Sequence, residues 1–305
     1  MNNFWARGGI LCSVAALAMV SVAGAATTPA AKPVAQTLKA AAPSLPKLSA
    51  EQIVDKSLAA CGGVSAWKSV QSMTLSGKLD AGRVRKDGGD IANNPVQAKQ
   101  EARARAQLIL EGKYHPEPEK VIQLPFKLDL ARPKRQRLEI PFQGDTAVQV
   151  YDGTNGWKLR PYLGRREVEI YSKDELAIAA SEQELDGPLV NYAAKGTQVS
   201  LAGTELVDGQ PAYHLNLKYK DGSVRSVWID GHSFLEVKIE GAPRRRDGRP
   251  RVVMTFLKDY RKVNGLMIPH LRETHVAGDA HAERIEVEKV VINPALTPAT
   301  FSKPS

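Results

Sequence analysis

The sequence predicts a mainly β fold, a large antiparallel sheet with a few covering helices. Three observations lead there. Short segments rich in β-branched and aromatic residues recur at close spacing from Phe126 to Ile292. Their joints include Asp208-Gly209, Asp221-Gly222, Asp230-Gly231, Asp247-Gly248 and Asn264-Gly265, dipeptides that supply the positive φ of tight hairpin turns. Nothing alternates strand with helix as a parallel α/β sheet does, so neighbouring strands are expected to form a meander.

The chain opens on a segment unlike the rest. Arg7 precedes an apolar run from Ile10 to Val22, closed by Ala23-Gly24-Ala25. Charge, greasy core and small-residue ending spell a secretory leader over residues 1–25, with cleavage expected before Ala26. The run is short for a membrane span and no stop-transfer pattern follows, so the exported protein is expected to be soluble and not integral to a membrane. Residues 26–48 are dominated by Ala, Pro, Thr, Lys and Ser and read as a flexible linker. One domain is expected over residues 49–305.

Ser49 and Gln52 stand at capping-box spacing, and Ile53, Val54, Ser57 and Leu58 follow with helical periodicity until Gly62-Gly63. Val70 to Leu79 reads as a first strand. An excursion over about 81–123 then interrupts the pattern with charge, Gly88-Gly89 and two proline-marked turns, and carries a helix-forming stretch from Val96 to Leu110. Strands are expected at Phe126–Ala131, Gln136–Phe142, Ala147–Tyr151 and Gly156–Arg160. Ser172, with Glu175 three residues on, opens a helix running to Glu184, and Leu189 to Ala194 reads as a second short helical turn. Strands resume at Gln198–Val207, Ala212–Tyr219, Ser223–Ile229, Leu235–Glu240, Val252–Val263, Leu266–Thr274 and Ala282–Ile292.

The period of two sorts the strands into faces. Tyr213, Leu215, Leu217 and Tyr219 oppose His214, Asn216 and Lys218, and Leu235, Val237 and Ile239 oppose Glu236, Lys238 and Glu240. With few helices to cover it, such a face either packs on a filled core or lines a cavity. The apolar strand positions that would line a cavity are Leu75, Leu128, Val148, Val150, Trp157, Tyr213, Leu215, Leu217, Trp228, Leu235, Val237 and Ile239. For Trp157 and Trp228, core packing and a broad apolar wall are both open readings.

A net charge of +9 is gathered in clusters: Arg83 to Lys86, Lys134 to Arg137, Arg165-Arg166, and Arg244-Arg245-Arg246 with Arg249 and Arg251. In an exported chain without a helix-turn-helix or zinc-finger pattern, nucleic acid is not the expected partner. The clusters are either solvated strand edges, where cations discourage edge pairing, or contacts to an anionic membrane surface or a partner protein, with Arg244, Arg245 and Arg246 the foremost candidates. Cys12 lies in the leader, which leaves Cys61 alone and excludes an internal disulfide or a cysteine-rich zinc site. His270 and His275 fall on opposite faces of one strand, so no metal is expected there or elsewhere. Glu182 with Glu184 and Asp174 with Glu175 read as a solvated helix face. Nucleophile-elbow, zinc-protease, phosphate-loop and dinucleotide motifs are missing from the sequence, and neither a cofactor nor an enzymatic activity is expected.

Ala131-Arg132-Pro133, a charged strand, and then Val150-Tyr151-Asp152-Gly153-Thr154-Asn155-Gly156-Trp157 resemble the LolA/LolB-like superfamily, the outer-membrane lipoprotein-sorting and periplasmic lipoprotein-carrier type. The order of leader, first helix ending in Gly-Gly, meander and helical lid segment agrees, as do Val207-Asp208-Gly209 and Tyr260-Arg261-Lys262-Val263-Asn264-Gly265-Leu266. The resemblance covers roughly Ser49 to Pro294. It implies a curved sheet forming an incomplete, half-open β-barrel, with helices over its mouth and an apolar cavity for acyl chains. It also implies that Arg132 gates the lid by hydrogen-bonding helix carbonyls, where an exposed strand-end charge is the competing reading. The chain departs from the carriers at Lys134, Arg135, Gln136 and Arg137, where they are largely uncharged and aromatic, and in the 81–123 excursion.

The expected function is a periplasmic carrier holding acyl chains of lipids or lipoproteins, with lipid or lipidated protein as cargo and an inner-membrane transporter or outer-membrane acceptor as partner. The alternative is a non-enzymatic envelope interaction or sensor module, its barrel filled by its own side chains, that binds a protein through its basic loops.

Overall fold

The computed structural model describes residues 45–84, 107, 120–161, 165–182, 185–246 and 248–305. The leader, the linker up to residue 44 and, except Gln107, the helix-forming stretch at 96–110 lie outside the described residues.

Helix α1 (Ala50–Ala60) starts at a complete capping box: the Gln52 N–H donates to Ser49 Oγ at 3.2 Å, and the Ser49 N–H donates to Gln52 Oε1 at 2.9 Å. Gly62 and Gly63 take φ of +109° and +91° and end it. A second helix, α2 (Val64–Ser69), follows at once and was not expected. A Cβ on Gly62 would lie 2.6 Å from the Gly265 carbonyl oxygen, so this joint abuts the Asn264-Gly265 turn closely enough to require glycine.

The strands are β1 (Ser72–Val84), β2 (Lys120–Ala131), β3 (Arg135–Phe142), β4 (Asp145–Tyr151), β5 (Gly156–Arg160), β6 (Arg165–Ile170), β7 (Gln198–Val207), β8 (Gln210–Lys218), β9 (Val224–Asp230), β10 (Glu236–Glu240), β11 (Arg244–Arg246), β12 (Arg249–Arg251), β13 (Val253–Val263), β14 (Leu266–Val276) and β15 (Glu283–Ile292), with α3 (Lys173–Glu182) between β6 and β7. Thirteen strands form one sheet in the order β6-β5-β4-β3-β2-β1-β15-β14-β13-β10-β9-β8-β7. Its pairs are antiparallel, and β6 and β7 are its two ends, so no pairing among the described residues closes it into a barrel. Strands β11 and β12 form a separate hairpin.

Two boundaries differ from expectation. β1 and β2 stay paired as far as Val84 opposite Lys120, so both ends of the expected excursion are strand. Leu45 and Leu48, within the expected linker, pack on the core, and Tyr213 Oη donates to the Pro46 carbonyl at 2.9 Å. Leu45 and Leu48 supply the apolar surface for that packing.

The helices cover one face of the sheet, which carries three apolar clusters, the smallest being Tyr151 and Tyr171 under Ala179 of α3. The first joins Trp67 and Val70 to Met73, Leu75, Leu128, Leu138 and Leu266. The second joins Ile53, Val54 and Leu189 to Tyr213, Leu215, Leu217 and Ile229. Leu215 and Leu217 are fully buried, and each such side chain stabilises the fold by roughly 1.5–3 kcal/mol. α3 has its own capping box between Ser172 and Glu175, and the Glu175 carboxylate is anchored by Lys158 Nζ at 2.5 Å. Beyond α3, residues 185–196 form successive turns over the same face, in place of the helical turn expected at Leu189–Ala194.

The opposite face is a ladder of ion pairs in its middle: Lys127–Asp129 at 2.6 Å, Lys78–Glu288 at 3.0 Å and Arg284–Glu286 at 2.7 Å. An apolar patch flanks it on either side. One gathers Ala131, Val148, Val150, Trp157 and Leu159 beneath Phe301, from the C-terminal 3-10 turn Pro298–Phe301. The other gathers Val207, Ala212, Trp228, Val237, Met254 and Phe256.

Candidate functional site

Arg132 leaves the end of β2 next to α2. Its Nε donates to the Val70 carbonyl at 2.8 Å, and its Nη2 donates to the Trp67 carbonyl at 3.2 Å and to Asp186 Oδ2 at 2.8 Å. Helix ends leave carbonyl oxygens without intrahelical donors, and a planar guanidinium can serve several at once. Asp186 Oδ1 also accepts from Lys195 Nζ at 3.4 Å, and Lys195 donates to the Gly187 carbonyl at 3.1 Å. One buried carboxylate thus ties the turn segment 185–196 to α2 and to the sheet. Within that segment Leu185 and Val190 pack on the first cluster, and Leu189 belongs to the second. Asp186 and Lys195 were not singled out in the sequence, although Asp186-Gly187-Pro188 is a turn signal of the kind that located the hairpins.

Between the first and second clusters the helix-covered face carries polar side chains. Tyr260 Oη donates to the Glu236 carbonyl at 2.7 Å. Burial pushes the Glu236 carboxyl up to about 7 against the opposing pull of Arg272 and Lys195, and burial also raises the Tyr260 phenol. Cys61 is pushed up to about 12, by burial first and by Glu236 next, which favours the protonated thiol at neutral pH. His270 is buried on this face with Nδ1 2.9 Å from the Ile268 carbonyl, and His275 meets Phe256 edge-on on the other. The opposite placement of these two histidines follows their spacing.

The candidate lining residues do not share one surface. Leu75 and Leu128 lie in the first cluster, and Tyr213, Leu215, Leu217 and Ile239 belong to or pack on the second. Val148, Val150 and Trp157 face the other way, because β3 sets Val150 opposite Arg137 and Val148 opposite Glu139 while Phe301 covers them. Trp228 and Val237 also lie on that opposite face. Val237 is turned there by a register shift between Glu236 and Lys238, which separates it from Ile239. Leu235 precedes β10 and joins neither cluster. Arg244 is not a free surface charge: its Nη1 donates to both oxygens of Glu283 at 2.8 and 2.9 Å. Arg245 is exposed.

No family model and no curated protein matches the chain. Among solved structures it has a weak, partial likeness to a LolA superfamily protein from Nitrosomonas europaea, at 14% identity and a TM-score of 0.48 over 84% of this chain and 99% of that one. A DUF1329 family protein from Desulfovibrio piger is similar at 15% identity and a TM-score of 0.48, over 83% and 97%.

Proposed function

We propose that this protein is a non-enzymatic periplasmic carrier that shelters acyl chains of lipids or lipidated proteins beneath α3 and the turns at 185–196, acting as a lid on a half-open sheet. The observation that carries the reading is Arg132, whose guanidinium joins α2, the turn segment and the sheet through three acceptors. A single hydrogen-bonded hub of this kind can be released as a unit, and the segment it holds also lends Leu189 to the cluster under α1. Lifting residues 185–196 would withdraw Leu185 and Val190 from above Leu75 and Leu128. An incoming acyl chain would replace one apolar burial with another, so its affinity comes from the surplus, at about 0.8 kcal/mol per additional buried methylene.

The test is native mass spectrometry of protein purified from the cell envelope, with organic extraction of whatever is released. The expected result is a co-purifying acyl lipid or lipopeptide, retained by wild type and lost faster from Asp186→Asn. A bare polypeptide mass that does not change on incubation with lipid would overturn the reading. The complete burial of Leu215 and Leu217 under α1 would then favour a filled interaction module.

A further inference from the structure

The geometry points to the β11–β12 hairpin as a docking element for the anionic phospholipid headgroups of a bilayer surface. From Arg244 to Arg251 the chain reads Arg-Arg-Arg-Asp-Gly-Arg-Pro-Arg, five guanidinium groups against one carboxylate in eight residues. The hairpin belongs to the two-stranded sheet alone, so it projects from the large sheet instead of extending it. Its register sets Arg244 opposite Arg251 and Arg246 opposite Arg249. Like charges directly opposed on a strand pair are destabilising, and an anion between them removes the penalty.

Among the described residues, the closest carboxylate contact of this array is at its base. Arg244 Nη1 donates to both carboxylate oxygens of Glu283, which fixes the hairpin to β15. Arg251, across from it, has a buried Nε with no hydrogen-bond acceptor. Arg245 is 66% exposed and meets Asp174, at the start of α3, only at 3.9 Å. Gly248, Arg249 and Pro250 are exposed as well.

A bilayer, rather than an acidic protein, is favoured by what stands among the arginines. Pro243 and Pro250 are exposed beside them, and Val252, immediately after Arg251, is 48% exposed. Small apolar groups level with guanidinium groups suit the headgroup boundary, where the cations meet phosphate and the apolar groups enter the interface. The contact with Asp174 sets this element beside α3, so docking would bring the proposed lid to the membrane. The inference does not require that the interior hold cargo.

The test is co-sedimentation of the envelope-purified protein with vesicles of phosphatidylcholine alone and of phosphatidylcholine mixed with phosphatidylglycerol. Wild type is expected to bind the mixed vesicles, not the neutral ones, and to be released by salt. Arg245→Gln/Arg249→Gln should lower partitioning roughly thirtyfold, from the per-arginine attraction of an anionic leaflet. Arg165→Gln/Arg166→Gln, which removes the same charge from the exposed edge strand β6, should change it far less. Circular dichroism of both variants confirms that the fold is kept. Equal binding by wild type and the hairpin variant, equal losses in the two variants, or wild-type binding to acidic proteins but not to anionic vesicles would each overturn the assignment. Wild type that binds the vesicles but carries no acyl cargo would count against the carrier reading alone.

Discussion

Replacing Arg132 with leucine probes whether one side chain holds the turn segment down. The Asp186 side chain is 1% exposed and that of Arg132 31%. In Arg132→Leu the carboxylate keeps Lys195 at 3.4 Å, while the Val70 and Trp67 carbonyls lose their guanidinium donor. Stranding one member of a buried ion pair costs about 3–5 kcal/mol, and the remaining lysine together with the partial exposure of the arginine sets the expected loss near the lower end, about 3 kcal/mol. For a chain of this size that lowers Tm by on the order of 10 °C. Asp186→Leu in the Arg132→Leu background removes the stranded charge, so the double variant should be about 1–2 kcal/mol more stable than the sum of the single losses implies. Urea denaturation followed by circular dichroism gives the cycle. Hydrogen exchange over 185–196 and 64–69 shows where protection is lost, and both segments should exchange faster in Arg132→Leu. A loss under about 0.5 kcal/mol, or strict additivity in the cycle, would refute the hub.

Phe301→Ala empties the centre of the patch formed by Ala131, Val148 and Val150, where Phe301 is 2% exposed, and should cost about 3–5 kcal/mol in urea denaturation. Glu236→Gln should show a pH-dependent gain. The folded-state pKa, about 7, lies above the ordinary 4.5, so the native state binds the extra proton between those values and wild type loses stability as pH rises through that window. At about 1.4 kcal/mol per unit, discounted for the solvent that reaches this half-buried carboxyl, the variant should be about 2 kcal/mol more stable than wild type at pH 8 and no more stable at pH 4. Thermal melts across that range check the sign. Cys61, with its thiol raised from 9.0 to about 12, should be alkylated by iodoacetamide about a thousandfold more slowly at pH 8 in the native protein than in urea.

The tight hairpins at Asp208-Gly209 and Asn264-Gly265 were legible because a dipeptide dictates them, whereas at Asp230-Gly231 neither residue takes positive φ and a loop over 231–235 joins β9 to β10. Asn264 and Gly265 both take positive φ, and Val263 pairs with Leu266 across a two-residue turn, as the sequence implies. Gly156–Arg160 and Gln198–Val207 also fall where their alternation placed them. The capping boxes at Ser49 and Ser172 were legible for the same local reason. Strands dominated by charge were not: Arg165–Ile170 reads Arg-Arg-Glu-Val-Glu-Ile, and β11 is all arginine, so neither shows the apolar alternation that marks a half-buried strand. The faces were less legible still. Alternation states which residues lie together but not which side is covered, and a bulge reverses it. The register shift at Glu236/Lys238 breaks the parity that grouped Val237 with Ile239 among the candidate lining residues.

The placement of covers, more than the distribution of apolar residues, decides where cargo could lie on the proposed reading. The helix-covered side of the sheet carries three apolar regions and the other side two. Leu215 and Leu217 lie under α1, which is fixed by its capping box and by Leu45 and Leu48. Val148 and Val150 lie under Phe301, and Trp228 lies beneath Lys238, whose Nζ is 4.0 Å from the ring centroid. The region around Leu75 and Leu128 differs, because Leu185 and Val190 above it belong to a segment tied down by Arg132 and Lys195 through one carboxylate. Its ionic ties can be exchanged for water or for a ligand's polar group once they are exposed, and the apolar burial lost as Leu185, Leu189 and Val190 lift is what an acyl chain would restore. An acyl chain is therefore expected against Leu75 and Leu128, with the polar seam of Glu236 and Tyr260 bounding it on the side toward α1.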